Sequence, residues 1–160
     1  MAERIDRYNP REGLNEDLLR VIDEAEKIDG HRLGYLFLNL PDKLTGLYSY
    51  PERTKYSYGL RIPVKKRSNL RESLKKAWKG NIKDESSSTN LRYKVDEEII
   101  VQYAWPRKDV IEILTFDEED EEKFEDIRKK VVQLSNSLFE ILREDGYIKY
   151  VKTKHYVGFI

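Results

Sequence analysis

The chain of 160 residues contains no cysteine, a single methionine and two histidines. The missing thiols exclude a disulfide framework, a thiolate metal site and a cysteine nucleophile. His31 and His155 have no Ser, Cys or Asp context that resembles a catalytic triad or a metal motif. The eight glycines are scattered singly, so no glycine-rich phosphate loop is present. We therefore expect no metal and no cofactor.

Long apolar runs are also missing, since no stretch approaches the roughly 20 apolar residues that span a bilayer. The first thirty residues are charged and amphipathic, unlike a targeting segment. These features, with the absence of cysteine, predict a soluble, cytoplasmic protein without a membrane partner. Charged residues make up 38% of the chain, a composition that would suit a heat-adapted protein with surface ion-pair networks.

The charges balance overall but are distributed unevenly. Lys and Arg number 30, as do Asp and Glu. Residues 51–83 carry eleven Lys or Arg against two acids, Glu52 and Glu72. Residues 117–126 carry eight acids against Lys123. The chain is therefore electrically lopsided although its net charge is zero.

Apolar periodicity predicts three helices. The longest spans 117–143, with Thr115 and Glu118 at capping-box spacing. Its predicted buried stripe consists of Phe124, Ile127, Val131, Leu134, Leu138 and Ile141. A first helix runs from Asn15 to about Ile28, and a basic helix begins after Asn69. The first helix and the longest helix are expected to pack on one face of the sheet, and the basic helix is expected at an edge or end of the sheet.

Strands are predicted at 33–40, 91–95, 98–105 and 110–116, with a closing hairpin in 147–160. Residues 48–50 and 56–64 alternate strictly, which predicts a hairpin with a basic loop. Pro63 cannot donate a ladder hydrogen bond and favours a sheet edge, whereas the apolar faces of 110–116 favour the sheet centre.

The expected fold is α+β: a mainly antiparallel sheet of five to seven strands packed against a long C-terminal-half helix and two shorter helices. Residues 1–13 are predicted to be a flexible N-terminal arm. Residues 14–160 are predicted to form one domain, with a mobile loop near 80–90 where serines cluster.

The basic segment 51–83 with its tyrosines is the strongest functional signal, because cations neutralise phosphates and aromatic rings stack on unpaired bases. The candidate DNA- or RNA-binding residues are Arg53, Lys55, Tyr56, Tyr58, Arg61, Lys65, Lys66, Arg67, Arg71, Lys75 and Lys79. Alternatively, the tyrosines are core residues and the lysines a solvated face. Tyr56 and Tyr58 share the parity of Leu60, Ile62 and Val64, so the buried face of the sheet decides between these interpretations.

Two other functions fit the same sequence. The basic segment of one copy could contact the acidic 117–126 run of another copy or of a protein partner, as in an assembly subunit. A metal-dependent phosphodiesterase centred on Asp96, Glu98, Asp109 and Glu112 is the weakest of the three hypotheses. The leading hypothesis is a non-catalytic nucleic-acid-binding module.

Overall fold

The computed structural model of the protein describes residues 9–29, 36–39, 56–65, 70–78, 82–88, 90–103 and 110–148. The helices there are α1 (Glu16–Asp29), α2 (Leu70–Lys75) and α3 (Glu121–Glu144). The strands are β1 (Leu36–Asn39), β2 (Ser57–Pro63), β3 (Lys83–Asp84), β4 (Leu91–Asp96), β5 (Ile99–Tyr103) and β6 (Val110–Thr115). The predicted α+β class is confirmed.

The strands form one sheet in the order β1-β2-β6-β5-β4-β3, and every neighbouring pair is antiparallel. Strand β6 lies between β2 and β5, as its apolar faces predict. Val110, Ile111 and Ile113 are all fully buried. The prediction that β6 lies inside the sheet is therefore confirmed.

The prediction that Pro63 marks a sheet edge is wrong. Strand β2 lies between β1 and β6, and Pro63 is paired with Val110. In the described residues, β1 pairs with β2 only as far as Leu60. Pro63 lies beyond this pairing, at the end of β2, so its missing N–H interrupts no described hydrogen bond to β1. Residues 48–55, which the predicted hairpin requires, lie outside the described residues.

Helix α3 begins four residues later than predicted. Thr115 does not cap it, because its hydroxyl oxygen accepts a 2.9 Å hydrogen bond from the Tyr58 amide. Glu118 instead exchanges two backbone hydrogen bonds with Tyr56, of 2.7 and 3.0 Å. Asp120 is the N-cap and accepts hydrogen bonds from the amides of Glu122 and Lys123. The backbone bridge to Tyr56 thus delays the helix.

The predicted stripe of α3 is buried along most of its length. Phe124, Ile127, Val131 and Leu138 are at most 3% exposed, whereas Leu134 and Ile141 are only partly buried. The buried surface also includes Arg128, Val132, Ser135, Phe139 and Leu142. This wider face packs against the sheet and the other helices. Within the described chain, no helix is long and apolar enough to cross a membrane.

Helix α1 begins after Asn15, whose side chain accepts a hydrogen bond from the Asp17 amide. The amide of Asn15 also donates to Asn136 of α3 at 2.8 Å, which joins the two helices. Residues 9–13 of the predicted arm contact the domain: Tyr58 donates its hydroxyl proton to the Pro10 carbonyl at 2.7 Å. Residues 1–8 lie outside the described part.

Helix α2 lies at the C-terminal end of α3. Leu70, Ser73 and Leu74 are buried, and the Ser73 hydroxyl donates a 2.6 Å hydrogen bond to Asp145. The Lys76 ammonium contacts the same carboxylate at 3.0 Å. The Ser73 hydrogen bond, followed by that from Lys76, lowers the pKa of Asp145 below its ordinary value. A single carboxylate thereby fixes α2 and its cations to α3.

The segment near 80–90, predicted as a mobile loop, includes β3, which pairs with β4 at the end of the sheet. Ser86 donates its hydroxyl proton to the Arg92 carbonyl and accepts from the Arg92 amide. Of the predicted closing hairpin, Ile148 forms a bridge with Val64. Residues 149–160 lie beyond the described part.

We predict that Asp120→Ala destabilises the protein by about 1 kcal/mol, because two amides of the first turn of α3 lose their acceptor. Urea unfolding measures the change. Glu119→Ala removes the same charge next to the cap and should stay within about 0.5 kcal/mol of wild type. Equal losses in the two variants would contradict the assigned cap.

We predict that Asp145→Asn lowers the melting temperature at neutral pH, and that the difference from wild type shrinks in acid. A carboxyl whose folded pKa is lowered stabilises the protein above its unfolded pKa, and this contribution is lost as pH falls through the folded pKa, which for Asp145 lies below the ordinary value of an aspartate. Melting curves across a pH series measure the effect. Glu144→Gln, an exposed neighbour, should retain the wild-type pH profile; a pH-independent Asp145→Asn difference would refute the argument.

Candidate nucleic-acid interface

The two candidate tyrosines lie in the core. Tyr56 and Tyr58 are 2% and 0% exposed, and Leu60, Ile62 and Val64 of the same parity are also buried. The Tyr56 ring stacks on Phe124 with 5.3 Å between centroids. Burial raises the pKa of the Tyr58 hydroxyl to about 12. Neither ring can stack on a base while the domain is folded.

Arg61 lies on the opposite face of β2 and belongs to a polar row that crosses the sheet. Its Nε donates to Glu112 Oε2 at 2.9 Å, while Glu112 Oε1 accepts from Gln102 at 3.0 Å. Arg92 of β4 donates to the Gln102 amide oxygen at 2.8 Å. The Arg61 and Glu112 side chains are 21% and 14% exposed. Arg61 is therefore engaged with the sheet itself.

The carboxylates of the phosphodiesterase hypothesis are engaged elsewhere. Glu112 contacts Arg61, whereas Asp96 and Glu98 at the β4–β5 turn lie 3.6 and 3.4 Å from Lys130 and Lys123 of α3. Asp109 lies outside the described residues. In the part of the chain that the structure describes, no three His, Cys, Asp or Glu side chains are grouped so that they could hold a metal ion.

Four cations, of which Arg71 is half-buried and the others exposed, lie on α2, the turn after it and strand β3, and we call them the basic surface: Arg71, Lys75, Lys76 and Lys83. Three of the four form ion pairs in the described residues, and their side chains remain 39% (Arg71), 58% (Lys76) and 72% (Lys83) exposed to solvent. Arg71 lies 3.3 Å from Asp84, and Lys83 lies 3.5 Å from Glu85. These pairs are local and open to solvent.

The remaining candidate cations are divided between described and undescribed parts. Lys65 is half-buried, and its backbone amide donates to the Tyr147 carbonyl at 2.8 Å. The other five lie outside the described residues: Arg53, Lys55, Lys66, Arg67 and Lys79. The structure thus groups Arg71 and Lys75 of the predicted set with Lys76 and Lys83, which were not in that set.

The acidic run lies at the other end of α3 from α2 and its cations Arg71 and Lys75. Lys83 of the basic surface instead lines a cavity together with Lys123 and Asp126 of the run. Helix α3 has 24 residues and is therefore about 36 Å long. Asp145 binds α2 at one end, while residues 117–122 precede and begin the helix at the other. Lys123 within the run contacts Glu98 and Glu118, which raise its pKa. In the described chain, the ion pairs of the basic surface involve Asp84, Glu85 and Asp145 instead.

A cavity of about 820 Å³ separates α3 from the β4–β5 turn. Ile82, Val95 and Ile127 contribute apolar lining. The charged residues that also line the cavity include Lys83, Lys94, Glu97 and Asp126. The rim carries both charges, because Lys123 contacts Glu98 and Lys130 contacts Asp96 across it. This balanced rim gives no preference for an anionic or a cationic ligand.

An exposed aromatic ring was not among the predicted site residues. Phe116 is 43% exposed, the one large apolar side chain so exposed in the described residues. The Lys94 ammonium lies 5.9 Å from the ring centroid. Phe116 has the same parity as Glu112, which could have indicated that its side chain leaves the solvent-facing side of β6. Because apolar residues occupy both faces of β6, the sequence does not show which face is exposed.

The chain matches no protein-family model, no curated protein and no solved structure.

Proposed function

We propose that the protein is a non-catalytic nucleic-acid-binding module that contacts the phosphates of DNA or RNA through the basic surface. The observation that carries the proposal is the position of Arg71, Lys75 and Lys76 at the opposite end of α3 from the acidic run. A helix length of about 36 Å exceeds several Debye lengths at physiological salt. The run therefore has only a weak electrostatic effect on these three cations.

Phosphate groups can replace the nearby carboxylates as partners of the cations in the basic surface. Exposed ion pairs such as Arg71 with Asp84 contribute about 0 to 1 kcal/mol, so their cations can turn to phosphate at little cost. Residues 65–83 carry eight Lys or Arg against Glu72 alone. On the basis of the sequence alone, the proposed site also includes Lys66, Arg67 and Lys79 from this segment, and Arg53 and Lys55 before it. The proposal requires no cofactor or metal.

The buried tyrosines change the proposed mode of binding. Because Tyr56 and Tyr58 cannot stack on bases, contact through the basic surface is electrostatic and independent of sequence. Binding of this kind releases counterions and weakens steeply with salt. A cytoplasmic location, as the composition predicts, would suit this function.

The separation of charges also favours a second function, assembly into oligomers or with a protein partner. The cations of α2 and its following turn at one end of α3 and an acidic run at the other are complementary in a head-to-tail arrangement. Such heterologous contacts form rings or open chains. This alternative expects an oligomer that dissociates as salt rises.

We predict that Arg71→Gln/Lys75→Gln weakens binding to every oligonucleotide and reduces the magnitude of the log affinity against log salt slope by about 2. The wild-type slope would be about −4 to −5 if five phosphates are contacted. Fluorescence anisotropy with labelled oligonucleotides across a salt series measures both quantities.

The control for this experiment is Lys27→Gln/Lys129→Gln, which removes two exposed charges from α1 and α3. Its affinity and slope should remain near wild type. Equal weakening by both double variants would mean that only net charge matters, and absence of binding at low salt would refute the function. A salt-sensitive oligomer without oligonucleotide binding would favour assembly.

A further inference from the structure

Two lysines face each other at the β3–β4 end of the sheet. Lys83 and Lys94 are register partners on antiparallel strands, so their side chains leave the same face of the sheet. Like charges directly opposite each other destabilise a strand pair. Lys83 has Glu85 at 3.5 Å, while the ammonium of Lys94 lies over the Phe116 ring. An anion placed between the two ammonium groups would relieve their repulsion.

Phe116 belongs to the same face. Lys94 pairs with Ile100, and Ile100 pairs with Leu114, which has the same parity as Phe116. The backbone at Phe116 is held in place because its amide donates to the Glu98 carbonyl at 3.1 Å. An aromatic ring that is 43% exposed on a fixed backbone is a suitable platform for another flat ring.

We propose that Phe116, Lys94 and Lys83 form a subsite for one unpaired base and its neighbouring phosphate, so that the nucleic acid bound is single-stranded. The inference rests on the proposed function and narrows its ligand. A base stacks on Phe116, and the paired lysines contact the adjoining phosphate. Bases inside a duplex are already stacked and paired, so a duplex cannot use this subsite.

The subsite shares Lys83 with the basic surface. Lys83 precedes Asp84, the carboxylate that lies 3.3 Å from Arg71. Arg71 and Lys75 of α2 both lower the pKa of Asp84, although its hydrogen bonds with Ser86 contribute more. Because successive side chains of a strand leave opposite faces, Lys83 and Asp84 lie on opposite faces of the sheet, and a bound strand reaches the cations of α2 only around the β3 edge. Lys83 and Lys94 also line the cavity beside α3, whereas Phe116 is not among its lining residues.

The test compares Phe116→Leu with Phe116→Trp in the full chain, using labelled single strands of DNA and of RNA and a duplex of equal length. Leu keeps apolar bulk but cannot stack, so the affinity for single strands should fall about tenfold. Trp should retain or strengthen it. Duplex affinity should be unchanged in both variants, and thermal unfolding confirms that each is folded.

A second pair of variants tests the lysines. Lys94→Gln should weaken single-strand binding and reduce the salt slope by about 1, whereas Lys129→Gln, an exposed lysine on α3, should change neither. Which strand type binds more tightly distinguishes DNA from RNA.

The results separate this inference from the proposed function. Unchanged single-strand affinity in Phe116→Leu, with loss in Arg71→Gln/Lys75→Gln, would overturn the subsite and leave the basic surface. Equal losses for duplex and single strand in Phe116→Leu would also overturn it. Failure of the wild type to bind any oligonucleotide would remove both.

Discussion

The packing of α3 against the sheet is the interaction on which the rest of the structure depends. Each large apolar side chain that α3 buries contributes about 1.5 to 3 kcal/mol, and Phe124, Val131, Leu138 and Phe139 are all fully buried. Once this helix is fixed, its two ends determine the positions of the charged segments. Asp145 holds α2 at one end, and the bridge of Glu118 to Tyr56 holds the acidic run at the other. The charge separation is therefore a consequence of core packing.

The spacing of apolar residues predicted the helix that buries one side and the strand that is buried on both faces. The stripe of α3 and the central position of β6 follow from side-chain spacing, which the sequence displays directly. Boundaries set by distant partners were less predictable. Asp120 rather than Thr115 caps α3 because Thr115 bonds to the Tyr58 backbone, some sixty residues away in the chain. The place of β2 inside the sheet depends likewise on β1 and β6.

The sequence indicated which segment of the candidate site is basic, but it did not show how the individual side chains are arranged. The parity of Tyr56 and Tyr58 with Leu60 indicated that burial of one face would remove both rings from the surface, and it does. The sequence could not show that Arg61 is paired with Glu112, because that contact joins strands that are distant in sequence. Phe116 was missed because an apolar strand residue is normally buried. Its exposure depends on where β6 ends relative to its neighbours.

A net charge of zero does not weaken the case for a polyanionic ligand in this fold. Electrostatic attraction acts over a Debye length of about 8 Å at physiological salt, so a ligand responds to the local charge at its contact. Only a carboxylate close to Arg71 or Lys75 competes with phosphate, and Asp84 is such a carboxylate. Its exposed ion pair is weak, whereas a phosphate backbone adds several contacts along one strand and releases counterions at each. In the proposed function, a phosphate backbone would therefore compete with the chain's own acids for the cations of the basic surface.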